Sequence, residues 1–492
     1  MRLYGLDRQS LWYDEIFEIN YFQQFLKKGG YNAPDTPPLH PFLIHISQKL
    51  LPDTDFALRA LPTTFGLISV LLMFLLGKRL FNRRTGLIAS YLLAISPFHI
   101  WYSQEVRMYA LQWMLALTSL IFFFRALHEP NRNNYIGYII STILGLYTLQ
   151  LTIFLLILQG IYSLLFFRYY NVKLSRWISA LIIISLLYSP WIIYHFLYLT
   201  NRGASFPKEI KPLIFIPYTF FSYFAGFSIG PSLRELHLYP SFNIIIPYIH
   251  IIGPLMVTYG LVLSIGIFSL RRDTPRLIFL LLLTSIPIVG LLILIYKFVP
   301  KMSYNVRYTG IASFGFILII SKGIDFLAQR EWKVNGKSIS AIVLAIITGF
   351  SAYSYWNYQF NPKYHKEDVR TAASYIKENY EDADVILVIT STCALTINRY
   401  LDNGIQSTGY PPLLNTNNKE EVIRELEKMA NGKKRIWLVL CREWYEKELT
   451  DWTKQWLDEN YKEIETLHKD DTEIANLTIS CYELRERVDE KI

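Results

Sequence analysis

The stretch that decides the interpretation of this chain is Ser10-Leu11-Trp12-Tyr13-Asp14-Glu15, in which two adjacent carboxylates follow two aromatic rings. A lone Asp-Glu pair is ordinarily a solvated acidic turn. The alternative is a catalytic carboxylate at a membrane surface, and the composition of the chain favours it. Hydrophobic residues form 52% of the 492 residues and charged residues only 18%, which is more apolar than a soluble domain needs.

Apolar and charged residues are distributed unevenly along the chain. Long apolar runs fill positions 56 to 355, whereas Lys, Glu and Asp are frequent from about Asn357 onward. We therefore predict a mainly α fold, with a polytopic transmembrane helical bundle over residues 1–355 and a soluble domain over 356–492. Spans that need about 20 apolar residues each are predicted at 56–77, 86–103, 107–126, 135–149, 151–168, 177–199, 245–270, 277–297, 305–323 and 338–355.

Two amphipathic segments precede the first span. Residues 16–26 carry apolar side chains at roughly helical spacing with polar residues between them, and a second such segment covers 41–51. The proline-rich turn 35–41 between them is stiff, because each proline fixes its own φ and restricts its neighbour. We expect both segments to be helices lying in the membrane interface.

The tail alternates helical and strand-like patterns, which indicates a small α/β domain. The three cysteines, Cys393, Cys441 and Cys481, all fall there, and their spacing fits no metal site but leaves room for one disulfide. The predicted helices are Asp368–Tyr380, Lys419–Ala430 and Lys447–Tyr461, and the predicted strands are Val385–Thr390, Arg435–Cys441 and Ile474–Leu484.

Basic residues cluster in every second loop between the spans, so those loops are interpreted as cytoplasmic. This placement accounts for the net charge of +9 without a nucleic-acid partner. The opposite loops and the tail are then extracytoplasmic, in a multi-pass protein of the plasma membrane surrounded by its lipids. Because ten spans with both ends outside leave the N-terminus without a segment to carry it across, we expect a further transmembrane helix upstream of Met1.

A second acidic stretch, Ser103-Gln104-Glu105-Val106-Arg107-Met108-Tyr109, lies at the junction of two predicted spans. Ionisable groups at membrane depth are costly unless they are paired or used. Glu105 and Arg107 are therefore either an interfacial ion pair or part of a functional site that faces Asp14. The nearby histidines, His40, His45 and His99, are interpreted as hydrogen-bonded interface residues rather than as ligands.

Seven short motifs follow one another along the chain. They are Ser10–Glu15, Pro37-Pro38-Leu39, Arg59-Ala60-Leu61-Pro62, Gly77-Lys78-Arg79-Leu80-Phe81, Ser96-Pro97-Phe98, Ser103–Tyr109 and, more weakly, Val306-Arg307-Tyr308. Together they resemble the motifs of the GT-C membrane glycosyltransferases, above all the family 39-like group, which includes protein O-mannosyltransferases and lipid A aminoarabinose transferases. The resemblance is strong over residues 8–125 and weaker over the later spans, and the family's first helix is the one we expect upstream of Met1.

The resemblance implies an enzyme that moves a sugar from a polyprenyl-phosphate carrier to a lipid, glycan or protein acceptor on the extracytoplasmic face, usually with inversion. It implies that Asp14 is the catalytic carboxylate and Glu105 the second acidic position. The chemistry agrees, because inverting transfer needs a base to take the acceptor proton. Glu15 either orients Asp14 or remains solvated.

The leaving lipid phosphate gains charge, which needs cations or a metal ion nearby. Arg107, Lys301 and Arg307 are the basic candidates, with interfacial anchoring as their alternative role, and Glu15 and Tyr109 are further candidates for substrate binding. Glu105 could position Asp14, hold the acceptor, or share a divalent metal ion with Asp14, since oxygen ligands suit hard cations.

Two other functions compete with transfer. A transporter or flippase of lipid-linked sugars would be equally apolar, but transporters place ionisable sites near the bilayer midplane, whereas these carboxylates gather at one rim. A receptor whose sensor is the tail leaves the rim carboxylates unexplained. We therefore predict a glycosyltransferase.

Overall fold

The computed structural model describes residues 1–27, 36–170, 173–198, 212–238, 241–298, 303–330, 335–402, 404–409, 418–442, 446–467 and 476–484. The chain forms two compact units. The membrane unit comprises Met1–Leu6 and Glu18–Tyr358, and the C-terminal unit comprises Asp7–Phe17 and Gln359–Ile492. The predicted boundary after residue 355 lies close to this division. The sequence placed residues 7–17 in the transmembrane bundle, whereas in the structure Asp7–Phe17 belongs to the C-terminal unit. The reason is that this segment forms hydrogen bonds with residues 366–400.

Helices dominate the membrane unit, and the first of them begins in the segment that belongs to the C-terminal unit. Their bounds are α1 Tyr13–Lys27, α2 Leu39–Leu50, α3 Asp55–Leu80, α4 Arg83–Ile95, α5 Pro97–Ser103, α6 Tyr109–His128, α7 Arg132–Thr148, α8 Ile153–Phe166, α9 Leu174–Tyr198, α10 Pro212–Ala225, α11 Leu233–Leu238, α12 Ile249–Leu270, α13 Thr274–Ile293, α14 Ala312–Ala328 and α15 Gly336–Phe360.

Six helical stretches in the described ranges are long and apolar enough to cross a membrane, which confirms a polytopic helical bundle. They are Asp55–Leu80, Tyr109–His128, Leu174–Tyr194, Asn243–Leu270, Thr274–Phe298 and Gly336–Phe360. The other four predicted spans contain shorter helices. The segment 86–103 is divided between α4 and α5, because Pro97 starts a new helix whose first turn is capped by the Ser96 hydroxyl.

Small residues allow neighbouring helices of the membrane unit to approach closely. A Cβ atom added to Gly266 of α12 would clash with the backbone carbonyl oxygen of Ile319 in α14. One added to Gly323 of α14 would lie 2.5 Å from the carbonyl oxygen of Val262 in α12. The crossing of these two helices therefore depends on the absence of side chains at both positions.

An aromatic cluster joins α5 to α6 and α10. The Phe98 ring centroid lies 5.1 Å from that of Tyr102, 5.4 Å from that of Trp113 and 5.2 Å from that of Tyr223. Aromatic pairs at such distances add to the stabilisation that burial of their area gives. The Tyr223 hydroxyl donates to the Thr309 carbonyl oxygen at 2.7 Å, so the cluster also fixes the turn that precedes α14.

A five-stranded sheet forms the centre of the C-terminal unit, in the order β2-β1-β3-β5-β4. Strands β1, β2 and β3 are parallel to one another, whereas β5 pairs antiparallel with both β3 and β4. The six predicted elements are found, and α17, β2 and β4 are additional. The bounds are α16 Val369–Asn379, β1 Val385–Ile389, α17 Ser391–Tyr400, β2 Ser407–Gly409, α18 Lys419–Ala430, β3 Arg435–Cys441, α19 Lys447–Asn460, β4 Tyr461–Leu467 and β5 Leu477–Leu484.

Both faces of this sheet are covered, which explains why β1 and β3 are continuous apolar runs. Helices α16 and α17 pack on one face and α18 and α19 on the other. A disulfide joins Cys393 of α17 to Cys441 at the end of β3, and Cys481 of β5 is a buried free thiol.

Candidate functional site

The link between α5 and α6, together with the first residue of α6, carries three of the residues that the sequence nominated. Glu105, Arg107 and Tyr109 are all buried there. The indole N–H of Trp101 donates to Glu105 Oε1 at 2.8 Å, and the backbone N–H of Arg107 donates to the carbonyl oxygen of Glu105 at 2.8 Å. The link is therefore a compact polar turn inside an apolar bundle.

Arg107 is paired with a carboxylate that the sequence did not nominate. Its Nη1 lies 3.1 Å from Oε2 of Glu18, and the other carboxylate oxygen of Glu18 lies 2.5 Å from Nδ1 of His40. The side chains of Glu18 and His40 are completely buried. One carboxylate thus bridges an arginine and a histidine, a fully enclosed arrangement that fixes the guanidinium.

Two arginines converge on the ring of Tyr109. The Cζ atom of Arg107 lies 5.9 Å from the ring centroid, and the Cζ atom of Arg307 lies 5.7 Å from the same centroid. Arg307 belongs to the turn Val306–Thr309, and its backbone N–H donates to the side-chain oxygen of Asn305 at 3.2 Å. The structure therefore brings together Arg107, Tyr109 and Arg307, with Glu105 in the same link. Lys301 lies outside the described residues.

Asp14 and Glu15 begin helix α1 within the C-terminal unit, and negative charge in a first helical turn is favoured by the helix dipole. Glu15 is completely buried, and its Oε2 accepts from the backbone N–H of Trp12 at 3.2 Å, as the acidic residue of a capping box does. Lys366 Nζ lies 3.7 Å from the same oxygen. The alternative of a solvated Glu15 is therefore wrong, whereas Asp14 is only partly buried.

An ion pair lies beside this segment. Arg442 forms two hydrogen bonds with the carboxylate of Glu367, at 2.5 and 3.1 Å. Burial opposes the ionisation of Glu367, but the charge and hydrogen bonds of Arg442 outweigh it and hold the pKa of this carboxyl below its ordinary value. The Glu367–Arg442 pair is therefore ionised at neutral pH.

No group of three or more His, Cys, Asp and Glu side chains that could hold a metal ion occurs within the described ranges. The two carboxylates nominated for a divalent ion belong to different units, Asp14 to the C-terminal unit and Glu105 to the membrane unit. A metal site made from this pair stays a prediction.

Sequence reasoning missed Glu18 and His40. Glu18 was counted only among the polar residues between the apolar positions of an interfacial helix, and His40 was interpreted as an interface residue. One signal pointed to them: a buried arginine such as Arg107 needs a carboxylate partner, and Glu18 is the acidic residue next along α1 after Asp14 and Glu15.

The fold of this chain is similar to that of membrane glycosyltransferases of the GT-C type, which confirms the predicted fold class. The structure is similar to that of ArnT from Cupriavidus metallidurans in the apo state, with a TM-score of 0.58, 10% identity and coverage of 98% of this chain and 95% of that chain. The same protein bound to undecaprenyl phosphate gives a TM-score of 0.55, 11% identity and the same coverage.

Other comparisons agree with this fold. The Archaeoglobus fulgidus oligosaccharyltransferase in complex with Zn and sulfate gives a TM-score of 0.52 and 13% identity over 92% of this chain and 67% of that chain. The family model for dolichyl-phosphate-mannose-protein mannosyltransferase matches residues 35–194. No curated protein sequence matches the chain. The chain thus has the fold of these membrane enzymes, and the family match relates residues 35–194 to the mannosyltransferases. Its six long apolar helices agree with an integral membrane protein.

Proposed function

We propose that this protein transfers a sugar from a polyprenyl-phosphate carrier to an acceptor on the extracytoplasmic face of the plasma membrane, with inversion at the anomeric carbon. The observation that carries the proposal is the convergence of Arg107 and Arg307 on one tyrosine ring within a GT-C fold. Undecaprenyl phosphate, the ligand of the similar ArnT, is a carrier of the proposed class.

The two arginines suit the charge that develops on the carrier. As the glycosidic bond breaks, the lipid phosphate gains negative charge, and preorganised cations stabilise that transition state. A guanidinium is suited to the task because its planar fork binds phosphate oxygens in pairs. Glu18 neutralises part of the charge of Arg107. Lys301 and Glu105 remain candidates for the same substrate.

Asp14 is the proposed general base. The reaction needs a carboxylate that takes the proton from the acceptor as the anomeric carbon becomes electron-deficient. Asp14 is partly exposed at the beginning of α1, whereas its neighbour Glu15 is buried and bonded to the backbone of Trp12. Of the two carboxylates, Asp14 is therefore the one that an acceptor can reach.

The Cys393–Cys441 disulfide supports an extracytoplasmic C-terminal unit, because disulfides persist in oxidising compartments and are rare in the cytosol. The distribution of basic loops in the sequence supports the same orientation.

The test is sugar transfer by the full chain in vesicles that contain a sugar-loaded polyprenyl phosphate, with release of polyprenyl phosphate as the readout. We expect Asp14→Asn to lower the rate about 10²- to 10⁴-fold, the contribution of a general base. Asp7→Asn, at an exposed position of the same segment, is the matched control and should remain active. Full activity of Asp14→Asn would refute the role of Asp14, and translocation of the carrier without release would favour a flippase.

A further inference from the structure

The segment that carries Asp14 is attached to the C-terminal unit by side-chain hydrogen bonds immediately before α1. The hydroxyl of Ser10 donates to the carbonyl oxygen of Glu367 at 2.7 Å and accepts from the backbone N–H of Val369 at 3.1 Å. The backbone N–H of Leu11 donates to the hydroxyl of Tyr400 at 2.8 Å. These bonds fix two consecutive residues that precede the helix.

Further contacts extend this attachment towards the N-terminus. The backbone N–H of Lys366 donates to the side-chain oxygen of Gln9 at 3.2 Å, and Arg370 donates to the carbonyl oxygen of Asp7 at 2.8 Å. Every residue from Gln9 to Leu11 thus makes at least one hydrogen bond with the stretch 366–400. A surface segment that only passed the C-terminal unit would not need bonds at successive residues.

The ring of Trp12, the next residue, is contacted by two cations. Nζ of Lys366 lies 5.0 Å and Cζ of Arg442 lies 5.4 Å from the ring. Arg442 has a φ of 55°, a left-handed conformation that is unfavourable for a residue with a side chain. A strained backbone conformation of this kind persists only where surrounding contacts hold the residue in place. Here the Glu367 carboxylate and the Trp12 ring hold the Arg442 guanidinium.

We propose that the α/β part of the C-terminal unit is a positioning scaffold for the segment of the same unit that carries Asp14. Helix α1 starts at Tyr13, so the residues fixed by Ser10, Tyr400 and Arg442 set the direction of its first turn. A reacting group must be held close to its productive geometry for full rate, and this scaffold supplies that constraint from a folded α/β unit. The inference rests on the proposed function for the role of Asp14; Ser10, Tyr400 and Arg442 are positioning residues.

Two conservative variants test the scaffold in the full chain. Tyr400→Phe removes the acceptor for the Leu11 N–H, and Ser10→Ala removes both bonds of the serine hydroxyl. Tyr380→Phe is the matched control, because the hydroxyl of Tyr380 bonds to the carbonyl oxygen of Asp384 within the same unit but away from the segment. Hydrogen exchange of residues 7–17 and the kcat and donor KM of transfer are measured for each variant.

We expect Tyr400→Phe to speed exchange at Leu11 about 5-fold, the effect of losing one ordinary hydrogen bond. We expect kcat to fall about 10-fold or more in both variants, since small misplacements of a reacting group cost this much. The donor KM should stay within about twofold, because the arginines proposed to bind phosphate belong to the membrane unit. Retained protection of β1 and β3 would show that the C-terminal unit remains folded.

Unchanged kcat in Tyr400→Phe and Ser10→Ala would overturn the scaffold, as would a change confined to KM. A fall in kcat equally large in Tyr380→Phe would overturn it too, because that loss would reflect general destabilisation. Asp14→Asn separates the two proposals: its full activity refutes the base, whereas the kcat of Tyr400→Phe decides the scaffold by itself.

Discussion

Replacing Glu18 with Gln tests whether the buried carboxylate stabilises the membrane unit. The carboxylate contacts Arg107 at 3.1 Å and His40 at 2.5 Å, and an amide at the same place carries no charge to compensate the guanidinium of Arg107. Two unit charges 3.1 Å apart attract by about 5 kcal/mol at an effective dielectric constant of 20. Breaking a buried pair by removing one partner costs about 3–5 kcal/mol, because the other charge is left uncompensated.

We expect Glu18→Gln to lower the Tm of the detergent-purified chain by on the order of 6 °C, from about 3 kcal/mol at roughly 2 °C per kcal/mol. Glu129→Gln is a matched control, since Glu129 lies 3.2 Å from Arg79 but its side chain is 63% exposed. An exposed pair contributes about 0.2–1 kcal/mol, so the control should shift Tm by about 2 °C or less. Equal shifts for the two variants, measured at one scan rate, would refute the reasoning.

Two further predictions concern packing and acid sensitivity. Gly266→Ala should cost about 1–3 kcal/mol and lower Tm, because the new methyl group meets the Ile319 carbonyl oxygen, whereas Gly260→Ala in the same helix has no neighbour within 4 Å and should be neutral or stabilising. The lowered pKa of Glu367 contributes stability that is present above its ordinary value of 4.5 and is lost as pH falls through the folded value. The hydrogen-exchange protection of β3 should therefore decrease as the pH is lowered below about 4.5. In Arg442→Gln this decrease should be smaller, and identical pH profiles for the variant and the wild type would contradict the prediction.

The elements that sequence predicted well are those determined by nearby residues. Helix α18 and strand β3 have the predicted bounds, because amphipathic spacing in one and a continuous apolar run in the other are local patterns. The strand Ser407–Gly409 was missed, since three residues carry no periodicity. The predicted span 86–103 failed at Ser96-Pro97, where a proline signal was present and was given too little weight.

The sequence predicted most residues of the candidate site, but it predicted only some of the contacts between them. Arg107 and Tyr109 lie within one motif, and the motif alone nominated both. Their approach to Arg307 joins positions about 200 residues apart, which no periodicity encodes. Glu18 was counted only among the polar residues between the apolar positions of a helix, and only tertiary contact shows that it is buried.

The C-terminal unit is built from two stretches that are synthesised far apart in time, Asp7–Phe17 and Gln359–Ile492. The hydrogen bond between Ser10 and Val369 can form only after the 359 residues that follow Ser10 have been synthesised. At about 5–20 residues per second, synthesis of the intervening chain takes roughly 20–70 s. A chain truncated before Val369 has neither this contact nor the α/β unit, so the segment that bears Asp14 gains these contacts only after the residues that make them have been synthesised.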